Sequence, residues 1–237
     1  MVVGVVAGAL LLGTARTAWY LGGPRDEGAV LAGQVGWLRS QALERGPDMD
    51  AYFPEGQFFT VALAALAQAR DDTVPVTERV TFLDAALERL SSPEDLGRFA
   101  GNSPLQLGAF ATGWTLLVQV ERARLSGAAD DLRAVHSRAR AVALGLSRAP
   151  TPFLDSYPGQ AWPVDTVVLV AALARASDLL DFPQGQEAVS RWRAEATTWL
   201  DPDLGLLPHS LAADGSVVEG PRGSSQALIQ VFWPDVD

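Results

Sequence analysis

One arrangement of residues occurs twice in this chain of 237 residues: an aromatic–proline turn carrying Gly and Gln, followed by a long apolar segment. Residues 53–69 read FPEGQFFTVALAALAQA, and residues 157–176 read YPGQAWPVDTVVLVAALARA. Two looser copies begin at Asn102 and Glu219, and the prolines at 54, 104, 158 and 221 lie 50, 54 and 63 residues apart. Repeats of about this length are typical of stacked supersecondary units. The sequence therefore predicts a repetitive helical architecture.

Amphipathic helices are predicted between the apolar ones, because apolar residues recur there with the 3.6-residue period of a half-buried helix. They cover residues 29–45, 76–90, 130–147 and 186–200. Outer amphipathic and inner apolar helices thus alternate, which fits an α-solenoid or a ring of helical hairpins. The ring is preferred, because its inner helices are covered on every side. The predicted fold is all-α, an (α/α) toroid of about four hairpins, with a short β-hairpin near residues 206–219.

Four hairpins are expected to leave the ring incomplete, with apolar helix faces at an open edge. Proteins seldom leave such faces uncovered. Either the single barrel domain predicted for residues 23–237 is part of a longer protein, or a second subunit of a homo-oligomer covers the edge.

Residues 1–22 form a separate apolar segment with three open interpretations. The run VVGVVAGALLLGTA at 2–15 is shorter than the ~20 residues that a bilayer span needs. If Arg16 extends towards the headgroups, residues 2–22 are long enough, and Trp19 and Tyr20 suit the interface. The alternatives are a signal peptide and a buried first helix. An anchor or signal is preferred, which predicts a membrane-anchored or extracytoplasmic protein.

Composition excludes several function classes. The formal net charge of −10 argues against nucleic acid as a partner. The chain has no Lys and no Cys, which excludes Schiff-base lysines, the P-loop, disulfides and thiol nucleophiles. With two His residues, a His-rich zinc site is not expected. We therefore expect a small-molecule or glycan substrate, with no metal and no cofactor.

The turn at residues 155–165 holds the main candidate site. Asp155 and Asp165 can approach as an acid/base pair if the segment folds over the mouth of the barrel. Tyr157, Gln160 and Trp162 would then line a pocket. A purely structural interpretation stays open: Asp165 falls at the third position of a helix, where a carboxylate favours the dipole, and Asp155 suits an Asx turn.

The matching turn near residue 54 adds Glu55 and Gln57 to the candidate pocket. Glu55 follows Pro54 at a helix start, so stabilisation of the helix dipole is the alternative role. Gln57 and Gln160 occupy equivalent positions in the two copies, and both can form hydrogen-bonding walls. The alternative is that they satisfy backbone groups of the loops.

The predicted β-hairpin contributes a third group of candidates. Ala-Ala-Asp-Gly between short apolar runs indicates the turn. One arm carries His209 and Ser210, the other Glu219, and Arg222 follows at the next helix start. A Ser-His-Asp triad can be drawn from Ser210 or Ser225 with His209 and Asp165, although no GxSxG motif accompanies it. Arg222 either holds a substrate carboxylate or pairs with Glu219.

The phrases DSYPGQAWPVDTVV, DPDLGLLPHS and EGPRGSSQALI resemble bacterial proteins with a linalool dehydratase/isomerase-like domain, over about residues 50–233. The resemblance implies an (α/α) barrel with a substrate pocket at the end that bears the turns. In the family's namesake enzyme, acid/base residues protonate and remove a tertiary hydroxyl group, and cysteines contribute to the pocket. This chain has no cysteine, so replacements are expected among Asp155, Tyr157 and Asp165.

Two functional hypotheses follow. The first is an acid/base enzyme on a hydroxylated substrate, either a dehydratase/isomerase-like lyase or a sugar-active hydrolase or epimerase, since similar barrels serve glycosidases with paired carboxylates. The rival is a non-catalytic, membrane-anchored barrel that binds a glycan, a lipid or a protein partner. Fold alone does not choose between them.

Overall fold

Helices alternate between an outer and an inner layer, as the repeat predicts. The computed structural model describes residues 27–102 and 104–237. The outer helices are α1 (Glu27–Arg45), α3 (Val76–Leu90), α6 (Ala129–Arg148) and α8 (Pro183–Ala196). The inner helices are α2 (Gly56–Arg70), α5 (Gly108–Ser126), α7 (Pro163–Leu180) and α9 (Gly223–Phe232), and the short α4 (Pro93–Leu96) joins α3 to α5. The all-α prediction is confirmed.

Consecutive inner helices contact one another in the order α2, α5, α7, α9, while the outer helices pack against them from outside. The most extensive contact joins α5 and α7. Gly113 permits it, because a Cβ at this position would lie 3.0 Å from the backbone of Leu169. The middle inner helices are therefore buried nearly all round, which explains their continuous apolar sequence.

Trp114 on α5 shows that the inner layer curves. Its indole is fully buried, and its ring centroid lies 5.0 Å from that of Phe59 on α2 and 5.5 Å from that of Phe232 on α9. In a straight row, α2 and α9 would be three interhelical spacings of roughly 8–10 Å apart, too far to share one side chain. The helices therefore follow an arc around Trp114.

Within the described residues the arc has two edges, formed by α2 and α9, as expected for about four hairpins. Within the described residues, α2 and α9 share no extensive contact. Each of these terminal inner helices exposes an apolar side chain: Leu63 on α2 is 45% exposed, and Val231 on α9 is 64% exposed.

The inner helices α2, α5 and α7 run in the same direction, since residues in their C-terminal parts converge on one buried carboxylate. Glu121 on α5 is 2% exposed and accepts hydrogen bonds from Arg70 at the end of α2, 2.5 Å, and from Arg124 in the last turn of α5, 2.9 Å. Arg175 on α7 lies 4.0 Å away. Burial alone would raise the pKa of Glu121, but the arginine hydrogen bonds outweigh it and hold that pKa below its usual value.

The predicted β-hairpin is present and gains a third strand. Strand β2 (Ser210–Ala212) pairs with β3 (Val217–Glu219), and β1 (Gln160–Ala161) pairs antiparallel with β2, Gln160 opposite Ala212. Strand β1 comes from the candidate turn at 155–165. It has two residues, too few for a period-2 pattern, so sequence periodicity could not reveal it. The sheet joins two of the candidate segments.

The anchor or signal prediction for residues 1–22 lies outside the described residues. Within residues 27–102 and 104–237, none of the helices combines the length and the apolarity needed to cross a bilayer.

Candidate functional site

The turns before the inner helices meet at one pole of the arc. The N–H of Ala109, at the start of α5, donates a 2.8 Å hydrogen bond to the carbonyl of Asp155. The ring of Phe99 lies between the turns. Its centroid is 5.6 Å from the ring centroid of Phe58 and 5.4 Å from that of Tyr157. These turns therefore lie together at one end of the fold. We refer to this end as the turn pole.

Asp165 is the most deeply placed carboxylate of the turn pole. It occupies the third position of α7 after Pro163, as predicted, and is 9% exposed. Its Oδ2 accepts a 2.5 Å hydrogen bond from the hydroxyl of Ser156, which is fully buried. Its Oδ1 has no hydrogen-bond partner within the described residues. One carboxylate oxygen is thus held by a buried hydroxyl group.

Burial raises the pKa of Asp165 from 3.8 to about 7, because the charged form is poorly solvated there. The Ser156 hydrogen bond opposes this rise, and the negative charge of Glu55 adds to it. A carboxyl group with a pKa near 7 can both donate and accept a proton at neutral pH.

The carboxylate of Asp155 takes part in its own turn. Its Oδ2 accepts a 3.0 Å hydrogen bond from the N–H of Gly159, so the carboxylate closes the turn. The described residues contain no hydrogen bond between Asp155 and Asp165. Asp155 also borders a small cavity of about 90 Å³. The Asx-type alternative fits this geometry better than a shared proton.

Glu55 and Gln57 occupy distinct environments in the matching turn. Glu55 is the half-buried residue before α2, and its charge acts on Asp165. Gln57 is buried, and its Oε1 accepts a 3.1 Å hydrogen bond from Arg89. Gln160, its counterpart in the repeat, is exposed. The two glutamines are therefore not equivalent walls of one pocket.

Aromatic rings border the turn pole. The ring centroids of Tyr157 and Trp162 lie 5.6 Å apart at 79°, an edge-to-face arrangement, and both side chains are half-buried. The hydroxyl oxygen of Tyr157 is buried and lacks a hydrogen-bond partner within the part of the chain that the structure covers. A buried hydroxyl without a partner costs free energy unless a water or ligand satisfies it.

The third candidate group forms a cluster at the start of α9. The Nδ1 of His209 lies 2.6 Å from the hydroxyl oxygen of Ser225, and its Nε2 lies 3.9 Å from Glu219. Arg222 pairs with Glu219 at 2.6 Å, as the commoner alternative predicts. Asp165 is hydrogen-bonded to Ser156 instead, so the triad drawn through Asp165 is not formed.

Sequence reasoning missed Ser156 as a partner of Asp165 and Trp114 as the centre of the arc. Ser156 stood in the Asp-Ser-Tyr-Pro turn with no distinguishing signal. Trp114 was visible as the one aromatic residue with a polar atom inside an apolar helix, and its indole Nε1 is buried without a partner in the described structure.

Gly108 allows the turn at residues 155–156 to lie close to the start of α5. It has φ +67, and a Cβ there would lie 2.6 Å from the carbonyl oxygen of Ser156. We expect Gly108→Ala to lower the free energy of unfolding by roughly 3 kcal/mol or more, from left-handed strain and overpacking together. Gly127→Ala is the matched control, with φ +61 and open space around the Cβ, and should cost only about 1–2 kcal/mol.

Urea unfolding of the two glycine variants measures the difference. Equal losses would mean that the 155–156 turn does not pack against α5 as described.

Neither a metal-binding group nor a known relative indicates what this site does. The described residues hold no group of three or more His, Asp or Glu side chains able to bind a metal ion. In comparisons with known proteins, no family model matches the chain and no curated protein matches it significantly.

Proposed function

We propose that this chain is an acid/base enzyme that acts on a hydroxylated substrate at the turn pole, with Asp165 as the proton donor. The observation that carries the proposal is the setting of Asp165: its carboxyl group is 9% exposed and is held through one oxygen by Ser156, while the other oxygen has no hydrogen bond among the described residues. Structural carboxylates at helix starts are usually exposed or fully hydrogen-bonded.

Glu55 is the second carboxylate of the proposed reaction. Burial, with the negative charge of Glu55 adding to it, raises the pKa of Asp165 to about 7, so Asp165 carries a proton in about half of the molecules at neutral pH. Asp165 protonates the departing oxygen of the substrate. Glu55 then removes a proton from the neighbouring carbon in a dehydration, or from an attacking water in a hydrolysis.

Asp155 positions the site rather than transferring protons in this proposal, because its carboxylate holds the turn through Gly159. Tyr157 and Trp162 supply apolar faces for the substrate body, and the Tyr157 hydroxyl supplies a hydrogen-bonding group. The resemblance to linalool dehydratase/isomerase-like proteins supports the dehydratase or isomerase form over the glycosidase form.

The proposal is tested by screening alcohols and glycosides with the full chain. With any substrate found, we expect Asp165→Asn to lose turnover by roughly 10²–10⁴-fold, the range for removal of a general acid. Asp155→Asn should lose less turnover, because an asparagine oxygen can still accept the Gly159 N–H. If Asp165→Asn retains full turnover on every substrate found, Asp165 is not the proton donor.

A non-catalytic binding barrel is the second candidate function. It is favoured by a groove of about 220 Å³ between α1 and the following turn, bordered by Trp37 and Tyr52, which are 62% and 80% exposed. Exposed aromatic residues of this kind are common in binding surfaces. Glycan or lipid binding that Trp37→Ala abolishes and Asp165→Asn leaves intact would favour this candidate.

Both candidate functions include membrane anchoring through residues 1–22 and a homo-oligomer that covers the open edge. Sedimentation of the full chain with and without membranes tests both.

A further inference from the structure

Ser225 and His209 form a close pair that the acid/base proposal does not use. The distance between Ser225 Oγ and His209 Nδ1 is 2.6 Å. Ser225 is 6% exposed, while the neighbouring Ser224 is exposed. The pair lies in the corner between β2 and the first turn of α9.

The surroundings favour a neutral His209 that accepts the serine proton. Burial lowers the pKa of His209, Arg222 lowers it further, and Glu219 opposes both. Glu219 Oε2 lies 3.9 Å from Nε2, which favours the ring proton on Nε2 and leaves Nδ1 as an acceptor. When Nδ1 takes up the serine proton, the imidazolium formed is stabilised by the Glu219 charge.

The first turn of α9 supplies hydrogen-bond donors beside the hydroxyl. The amides of Gly223, Ser224 and Ser225 precede the first intrahelical bond, and the N-cap residue Arg222 makes no side-chain cap hydrogen bond in the described structure. Backbone N–H groups at a helix start can stabilise the negative oxygen that forms during acyl transfer. A nucleophile, a base, a carboxylate behind the base and the N–H groups of a helix start thus occur together.

We infer that Ser225 is a nucleophile activated by His209, forming a second site that hydrolyses small carboxylic esters. Ser225 Oγ attacks the ester carbonyl carbon while its proton passes to His209 Nδ1. The bond from that carbon to the leaving oxygen breaks, and the alcohol departs with the proton from His209. Water then attacks the acyl-serine, His209 takes and returns its proton, and the carboxylic acid is released with Ser225 restored.

The test uses two probes on the full chain, diisopropyl fluorophosphate and p-nitrophenyl acetate. With the first, Ser225 Oγ displaces fluoride from phosphorus, and mass spectrometry locates the added group. We expect labelling at Ser225, no labelling in Ser225→Ala, and a loss of labelling rate of about 10²-fold or more in His209→Gln. Ser190→Ala, an exposed serine on the outer helix α8, should be labelled at the wild-type rate.

The pH profile separates activation from a merely structural serine–histidine contact. The labelling rate should rise with pH through the lowered pKa of His209, below 6.5, and then level off. The groups that face His209 are Glu219 on β3 and Arg222 before α9, and Glu219→Gln should move the midpoint to lower pH.

Thermal unfolding of each variant shows whether it folds. If His209→Gln does not fold, His209→Asn is used in its place, and if Ser225→Ala does not fold, Ser225→Gly is used. The inference is overturned if diisopropyl fluorophosphate labels no residue and p-nitrophenyl acetate gives no burst of p-nitrophenol. Labelling at another residue, or a rate that His209→Gln leaves unchanged, overturns it as well.

Discussion

Asp165→Asn is expected to remove a large pH dependence from the stability of this protein. The folded state raises the pKa of Asp165 from 3.8 to about 7, so the folded protein binds a proton there that the unfolded chain has released. The stabilisation from this group is complete below about pH 4 and is lost as the pH rises through about 7. The full loss is about 4 kcal/mol, since each pKa unit corresponds to ~1.4 kcal/mol.

The measurement is urea unfolding of wild type and Asp165→Asn at about pH 5 and at about pH 8. Over this interval the wild type should lose about 2.5 kcal/mol more than the variant, because asparagine does not titrate. Subtraction of the two curves removes the effects of Glu121 and His209, whose lowered pKa values stabilise the fold at high pH instead.

Asp155→Asn is the matched control for this experiment. Its carboxylate is half-buried and accepts the Gly159 N–H, a bond that an asparagine oxygen can keep. The control should therefore follow the wild-type pH dependence. Parallel curves for wild type and Asp165→Asn would mean that Asp165 is ionised in the folded protein, and they would remove the physical basis for its role as proton donor.

Trp114→Ala is expected to have the largest effect on stability of any single truncation in the inner layer. Its side chain is fully buried and contacts both α2 and α9 through Phe59 and Phe232. Removal of a buried tryptophan typically costs about 3–5 kcal/mol, from lost transfer free energy and the cavity left behind. Trp114→Phe should cost less, because most of the ring contacts remain.

Trp37→Ala provides the comparison, since Trp37 is a tryptophan that is 62% exposed on α1. It should change the free energy of unfolding by no more than about 0.5 kcal/mol. If Trp114→Ala is equally mild, Trp114 does not join the first and last inner helices, and the arc must be held in another way.

The two proposed sites share one pole of the fold and are linked through the small sheet. Strand β1 follows the turn that holds Asp155 and Ser156, and it pairs with β2, which follows His209. Because the sites use different residues, loss of turnover in Asp165→Asn and loss of labelling in Ser225→Ala are independent results.

The sequence by itself determined the helices, their layers and the hairpin. Each depends on neighbours within a few residues: the 3.6-residue period of α3, the Pro163 start of α7, and the Ala-Ala-Asp-Gly turn before β3. Local spacing carries this information because helix and turn geometry are local. The position of Asp165 in the first turn of its helix was predicted on the same grounds.

Only the tertiary structure decided which side chains act together. Two carboxylates ten residues apart suggested Asp155 as the partner of Asp165, yet Asp155 closes its own turn, and the charge that acts on Asp165 comes from Glu55 on a different repeat. Likewise, His209 meets Ser225 only because the hairpin folds back onto α9. Such pairings depend on how the arc curves around Trp114, and that curvature results from packing between distant helices, which no local pattern encodes.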